Sequence, residues 1–514
     1  MNETILYGIA AIPIIGVIAQ WIAWRTRIPS IIILLIFGFL AGPVTGLIDP
    51  SQLLGKIMFP VVSILVSIIV FEGGLSLKIA DLKNIGKVVR NLITIGTLIT
   101  FSIIAVSSYY VLDLSVPLSI MFGAMMVITG PTVIVPMLRH VKLSRHLGSL
   151  IRWEGILIAP VGAILIVLVY PFATAVNFHQ ALGQIGITLV MIILTGNLIG
   201  ILGAMLILFM IRKKWAPDFL QESISLIIVI GVYTIANVIQ DASGILSVVV
   251  MGMLLVNQKK VLVKHIIVFK ENLRILAIST LFIILAADLE LSDLYSHLNS
   301  RFFIFLLILI FVARPLAVFI STLGSNLNWR EKAFAAWMAP RGIVTASIAS
   351  LFALRMVSEG IPEAKELVPL SFMVIICTVT IYGLTAEKFQ KILKLSRSDG
   401  GAVLLVGANL FSRMLAKALH DIGVFVMLVD TNKDRIIRAR LANLVAYHNS
   451  IYSEDILEEV QMGGITYMLA LTGSDDVNML SNIQYEEILS RDTVFRLPPE
   501  QTSNKTPDGL QNTG

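Results

Sequence analysis

Along the first 390 residues, long apolar runs alternate with short polar turns. The runs fall at roughly 4–24, 29–47, 57–76, 89–112, 115–137, 148–171, 184–211, 220–240, 242–257, 272–288, 300–322, 332–355 and 367–386. A helix rises about 1.5 Å per residue, so about 20 such residues cross the hydrocarbon layer of a bilayer. The pattern predicts thirteen membrane-spanning helices. The closest pair meets at Asp241, where two spans almost touch.

The polar turns give the runs a direction. With the N-terminus outside, thirteen crossings bring Arg25/Arg27, Lys78 to Arg90, Arg139 to Arg152, Arg212 to Lys214, Lys259 to Arg274, Arg330/Lys332 and Lys388 to Arg397 to the inner side. That is about 24 Lys and Arg inside against about 4 outside, the bias that orients membrane proteins. One span more or fewer would scramble it. Met1-Asn2-Glu3 supplies no basic stretch ahead of the first run, and the charges at Arg25 and Arg27 follow it. The expectation is a retained first helix rather than a cleaved signal peptide.

After Leu395 the pattern changes. Ser396 to Gly401 reads as a linker. Short apolar strands are expected at 402–406, 424–429, 444–447 and 467–471, with helices at about 412–420, from 433, and at 454–462 between them. Strands alternating with helices predict a parallel α/β sheet. Residues 498–514 are polar and rich in Pro, Asn, Thr and Gly, the composition of a disordered tail. The expected domains are therefore 1–395 in the membrane, 396–401 as linker, 402–497 as an α/β domain and 498–514 as tail.

Composition narrows the class. The chain is 56% hydrophobic and 14% charged, against about 25% charged in soluble domains. The net charge of +6 lies in the turns between spans, so it marks orientation rather than nucleic-acid binding. The single cysteine, Cys377, sits in an apolar run and reads as a small buried hydrophobe.

Two runs are broken at depth, the fifth by Thr129-Gly130-Pro131-Thr132 and the twelfth by Pro340-Arg341-Gly342. Each lies next to the last span of its half. Interrupted helices in matching positions point to a midplane site in an inverted-repeat transporter; the other reading is two independent proline kinks. Gly38/Gly42 and Gly196/Gly200 have the spacing of close helix packing.

Ionisable groups in hydrocarbon are costly and need a reason. Four stand out: Glu72, Glu154, Arg314 and Arg341. Counting residues, Glu154 is roughly 9 Å and Arg314 roughly 12 Å from the inner face, so they are expected partners. Arg341 stands beside a helix break with freed carbonyls. Glu72 lies near an inner end and is either a second functional carboxylate or a side chain that snorkels to the surface.

Six motifs, in order, resemble those of the NhaP-like sodium/proton exchanger branch of the monovalent cation/proton antiporters. They are Phe71-Glu72-Gly73-Gly74-Leu75-Ser76-Leu77, Thr129-Gly130-Pro131-Thr132, Trp153-Glu154-Gly155, Ser243-Gly244-Ile245-Leu246, Arg314-Pro315 and Pro340-Arg341-Gly342-Ile343-Val344. The resemblance covers about residues 5–390. It implies crossing fifth and twelfth spans in a core that moves against a dimerisation domain, and a structural pair between Glu154 and Arg314. It also implies a cation/proton site at Thr129, Gly130, Pro131, Thr132, Glu154 and Ala159. There the chain departs from the family: Ala159 stands where an Asp exchanges proton for cation, and Gly130 where many relatives have another Asp. An exchanger needs a group that trades H⁺ for the cation near neutral pH. Either Glu154 is freed to do so, or the chain as written is an inactive form, natural or engineered.

The C-terminal segment resembles the RCK/TrkA-N nucleotide-binding module. Gly407 remains of a G-x-G-x-x-G loop, with Asn409 and Ser412 in the other two glycine places, and Asp430 fits the ribose-binding acid. A bound nucleotide and a purely structural dimerisation role are both open. The expected whole is a homodimeric secondary transporter, not an enzyme, in a bacterial-type plasma membrane with its C-terminal domain in the cytoplasm and no nucleic-acid partner. It would exchange Na⁺, ahead of K⁺, for protons under control of that domain. The alternatives are a K⁺/H⁺ antiporter, a channel or uptake subunit, and a transport-dead cation sensor. No Thr-Val-Gly-Tyr-Gly-like filter supports the channel.

Overall fold

The computed structural model describes residues 3–497 except 27, 29, 131–132, 135–136, 139–140, 142, 175–177, 216, 259–263, 290, 396–401, 454–455, 457–459, 461–464, 487 and 490. The chain forms two compact units: a helical one of Met1–Val141 with His146–Leu395, and one that holds the sheet beginning at Ala402. The expected linker, the tail and most of the helix at 454–462 lie outside the described residues.

Among the described residues the helical unit has seven helices long and apolar enough to cross a membrane and six shorter apolar ones. Together they occupy the thirteen predicted positions. In the fifth span a helix runs over Val116–Met125, about 15 Å, half of what a crossing needs; it is interrupted there, and helical residues return at 133–134 and 137–138. The twelfth is split into Trp329–Trp337 and Ile343–Ser358. Helices Asp218–Ile239 and Ser243–Asn257 meet at Asp241, and the next residue, Ala242, has a left-handed backbone (φ 66°) that lets the chain reverse at once.

The spans sort into two groups. The first, second, third, seventh, eighth, ninth and tenth pack on one another, as do the fourth, fifth, eleventh, twelfth and thirteenth; the third, second and tenth reach across to the twelfth and thirteenth. Lipid supplies no hydrophobic drive between helices, so close approach relies on small residues. A Cβ on Gly42 would lie 2.3 Å from the Ala287 carbonyl oxygen, and one on Gly200 would lie 2.4 Å from that of Ser247. The two GxxxG pairs therefore seat the second span on the tenth and the seventh on the ninth. At one end Arg355 of the twelfth span donates to Asp241 of the other group at 2.9 Å.

The second unit is a five-stranded parallel sheet: β1 Ala402–Val406, β2 Val426–Asp430, β3 Val445–His448, β4 Ile465–Ala470 and β5 Val494–Arg496, in the order β3-β2-β1-β4-β5. Helices Leu410–Asp421, Lys433–Leu441 and Asp475–Glu486 accompany it. β1 is buried throughout, and apolar clusters cover both faces of the sheet, as parallel sheets require. The hydroxyl of Tyr485, buried in one cluster, donates to the Ile451 carbonyl at 3.0 Å, and burial pushes its pKa up. The sequence pattern predicts four strands; β5 is the addition. It is three residues long with two of them exposed, so it has no apolar period to betray it.

Candidate functional site

The broken spans cross. Thr129 and Arg341 form an antiparallel backbone bridge, and the Gly130 N–H donates to the Pro340 carbonyl at 3.0 Å. In hydrocarbon no water is at hand for backbone groups that a broken helix releases. Here side chains take that role. Thr345 Oγ1 donates to the Ile128 carbonyl (3.0 Å), Arg341 Nη1 to that of Val127 (3.3 Å), and the Arg341 N–H to Thr378 Oγ1 (3.2 Å). Thr345 and Thr378 went unnoticed in the sequence because a threonine in an apolar run is ordinary; only the crossing gives it a carbonyl or an N–H to meet.

Gly130 and Gly342 make the approach possible. A Cβ on Gly130 would stand 2.4 Å from Gly342 Cα and 2.9 Å from its nitrogen, both backbone atoms with little freedom to yield. An acidic side chain at 130 would therefore force the segments apart. Pro131 and Thr132 lie outside the described residues.

The sixth span, Arg145–Thr174, packs along this crossing and stays helical through Pro160. Cβ atoms on its Gly155 and Gly162 would lie 2.5 Å from Ile134 Cδ1 and 2.2 Å from Ile128 Cγ1. Ala159 is four residues after one and three before the other, hence on the same helix face, and it is fully buried. The expected ion-binding position thus looks onto the crossing and carries a methyl group. Thr129 Oγ1 is buried there without a hydrogen-bond partner among the described residues.

Glu154 and Arg314 meet through two parallel hydrogen bonds, Nη1 to Oε1 and Nη2 to Oε2, the latter 2.9 Å; Arg314 Nη2 also donates to the Ala335 carbonyl at 3.0 Å. Both side chains are under 8% exposed. Bidentate pairing of this kind orients both groups. It joins the sixth span, the eleventh and the first half of the twelfth. Arg314 follows a π-helical turn, Leu309–Ala313, and precedes Pro315; such widened turns accommodate a residue that breaks the regular hydrogen-bond ladder. Glu154, Arg314, Arg341, Thr97, Thr100 and Ile158 line a cleft with room for about one water.

Glu72 does not snorkel. It accepts a hydrogen bond from Arg274 Nη1 at 2.8 Å, and Arg274 is 7% exposed. An ion pair between the third and tenth spans removes the need to reach water. The sequence pattern groups Arg274 with the inner-loop charges, yet it lies within the apolar helix Leu273–Ala287, the local signal for a buried partner. Cys377 is half-buried in the thirteenth span. No cluster of His, Cys, Asp and Glu suited to a metal occurs among the described residues.

In the sheet unit Gly407 turns the chain after β1 with φ 98°. Asn409 caps helix Leu410–Asp421, its Oδ1 accepting from the Ser412 N–H at 2.8 Å. Asp430, at the end of β2, accepts from the Ala408 and Asn432 N–H groups at 2.7 and 2.8 Å. Gly407, Asn409 and Asp430 thus stand together around the ends of β1 and β2.

Two interrupted helices crossed in a bundle of apolar spans, with a buried Glu–Arg pair beside the crossing, define a polytopic membrane protein of the broken-helix transporter class. Residues 11–390 match the family described as sodium/hydrogen exchanger, transmembrane, and residues 403–496 match the TrkA-N domain; the chain belongs to the sodium/hydrogen exchanger family. Among similar proteins, Na(+)/H(+) antiporter 1 of Methanocaldococcus jannaschii is 26% identical over 343 residues, 65% of this chain and 80% of that one. K(+)/H(+) antiporter NhaP of Alkalimonas amylolytica is 25% identical over 400 residues, 77% of this chain and 67% of that one. The solved structure of the sodium proton antiporter MjNhaP1 from M. jannaschii at pH 8 superposes with a TM-score of 0.64 at 24% identity, over 76% of this chain and 98% of that one. That likeness shows a shared fold.

Proposed function

We propose that the protein is a monovalent cation/proton antiporter fold whose exchange site is centred on the crossing of Thr129–Gly130 with Arg341–Gly342, and that Ala159 holds its turnover low. The observation that carries the reading is the crossing itself. Two helix breaks with their backbone groups caught by side chains leave Thr129 Oγ1 buried without a partner among the described residues, and the helix that carries Ala159 packs on the same crossing through Gly155 and Gly162. Broken helices at the midplane are where transporters of this architecture bind ions.

The two groups of spans supply the moving parts, one rocking against the other. Na⁺ is favoured over K⁺ by the family description, while relatives named as K⁺/H⁺ antiporters keep K⁺ as the alternative substrate. The bias of positive residues supports an inner-membrane orientation with the N-terminus outside. The C-terminal unit is then a cytoplasmic regulatory and dimerisation domain. A second reading, in which Glu154 itself carries the proton, rests on the water-sized cleft that Glu154 helps to line.

Flux in proteoliposomes tests these readings together. ²²Na⁺ and ⁸⁶Rb⁺ uptake driven by an imposed pH gradient should be slow with the chain as written and should rise strongly in Ala159→Asp. Substantial exchange in the native chain that Glu154→Gln abolishes, with the fold intact, would transfer the role to Glu154. Passive conductance without proton coupling would overturn the antiporter reading.

A further inference from the structure

In a doubly wound sheet, ligands sit outside the carboxyl ends of the strands where the strand order reverses, and a nucleotide's phosphates rest on the helix N-terminus after the first strand. Here the order β3-β2-β1-β4-β5 places that crevice between β1 and β4. Three of the groups at that crevice, Asn409, Ser412 and Asp430, are engaged by the domain itself.

Asn409 stands at the second glycine place of the loop, where the absence of a side chain lets the backbone approach the pyrophosphate. Its Oδ1 accepts from the Ser412 N–H at 2.8 Å and from Ser412 Oγ at 3.0 Å, so a carboxamide oxygen occupies the anion position on the helix terminus. Its Nδ2 donates to the Leu471 carbonyl at 2.7 Å, closing the loop after β1 onto the chain leaving β4. A Cβ at Gly407 would be 3.1 Å from the same Leu471 oxygen, so the approach is tight on both sides of Ala408. Asn478, buried, holds the β4 side: its Oδ1 accepts from the Thr472 N–H and its Nδ2 donates to the Thr472 carbonyl, both at 3.0 Å. Asp430 faces the Ala408 and Asn432 N–H groups and, at 3.5 Å, Arg435 Nη1, rather than an open ribose site.

We infer that this crevice is closed to nucleotides, with Asn409 serving as an internal replacement for the phosphate and as a strap between the ends of β1 and β4. A dinucleotide would have to displace the cap, break the Asn409–Leu471 bond and release Asp430 from two backbone N–H groups. The domain keeps the nucleotide-binding topology and completes it with its own side chains. Control of the protein through this domain is then independent of nucleotide, whatever the helical unit transports.

Equilibrium binding to the full-length protein in nanodiscs tests this, with radiolabelled NAD⁺, NADH, AMP and ATP each raised to about 1 mM. The native chain should show no saturable binding in the crevice. Saturable binding that is lost in Asp430→Ala or Asn409→Ala would overturn the inference. Binding that persists unchanged in both variants would place the ligand outside this crevice and leave the inference standing. Asn409→Gly with Ser412→Gly restores the glycine spacing and should bind at least about tenfold more tightly than the native chain. Asn409→Gly alone serves if the pair does not fold. A folded variant without gain would overturn the assignment of the closure to these side chains.

Discussion

A carboxylate and a guanidinium buried in an apolar bundle depend on each other. Glu154 and Arg314 are joined by two hydrogen bonds at under 8% exposure. Removing one member strands the other, typically at about 3–5 kcal/mol, whereas replacing both with apolar groups is often close to neutral. Glu154→Gln should therefore lower the thermal midpoint of the purified protein more than Glu154→Gln combined with Arg314→Met. Equal midpoints for Glu154→Gln and the native chain would show that the pair contributes nothing to the fold. Ala159 raises the opposite question, since a charge is missing where one is expected. An Asp there would share its helix face with Gly155 and Gly162 and be desolvated, which raises a carboxylate's pKa toward neutrality and lets a cation compete with its proton. Ala159→Asp should increase cation-dependent proton flux several-fold. It should also lower the midpoint modestly, because the position is fully buried and added volume in a packed site costs about 1–3 kcal/mol. Unchanged flux in the folded variant would move the exchanging group elsewhere, with Glu154 first in line.

At the scale of elements, the broken fifth and twelfth spans are held by the space that two glycines leave. Gly130 has no room for a Cβ beside Gly342, so an acidic residue at this position would not fit the crossing as it stands here. Gly130→Asp should separate the segments, weakening the Gly130–Pro340 hydrogen bond and lowering both the yield of folded protein and its midpoint. Gly130→Ala should do the same to a smaller degree. A native-like midpoint in both would mean that the backbones adjust freely. The motifs at Thr129-Gly130-Pro131 and Pro340-Arg341-Gly342 were legible as breaks because proline and glycine act locally. The three hydrogen bonds that make the breaks tolerable join residues 37 to 217 positions apart, and no local pattern announces them. The same holds for Glu72: its motif could be read, but its partner Arg274 is 202 residues away.

For the whole molecule, the asymmetry of Lys and Arg predicts which way the bundle faces. An exposed cysteine in the sheet unit reports it. Ser474→Cys, made with Cys377→Ala, should react with a membrane-impermeant maleimide in inside-out vesicles and stay unlabelled in right-side-out ones. Labelling from the outside would reverse the assigned orientation and take the regulatory role away from the sheet unit.

The number and positions of the spans, the two breaks and the class of the C-terminal domain can be read from the chain's local pattern. Each of these is a local matter: an apolar stretch either is or is not long enough to cross hydrocarbon, proline and glycine interrupt a helix where they stand, and buried strands between helices build a parallel sheet. The tertiary structure alone decided what the marked residues do. It bound Glu72 to Arg274, set Thr129 against Arg341, left Gly130 no space for a side chain, added β5 at the sheet's edge and tied Asn409 to Leu471 across the nucleotide crevice. Hydrogen bonding and burial act between groups that the fold brings together, and the spacing of those groups along the chain carries no trace of it.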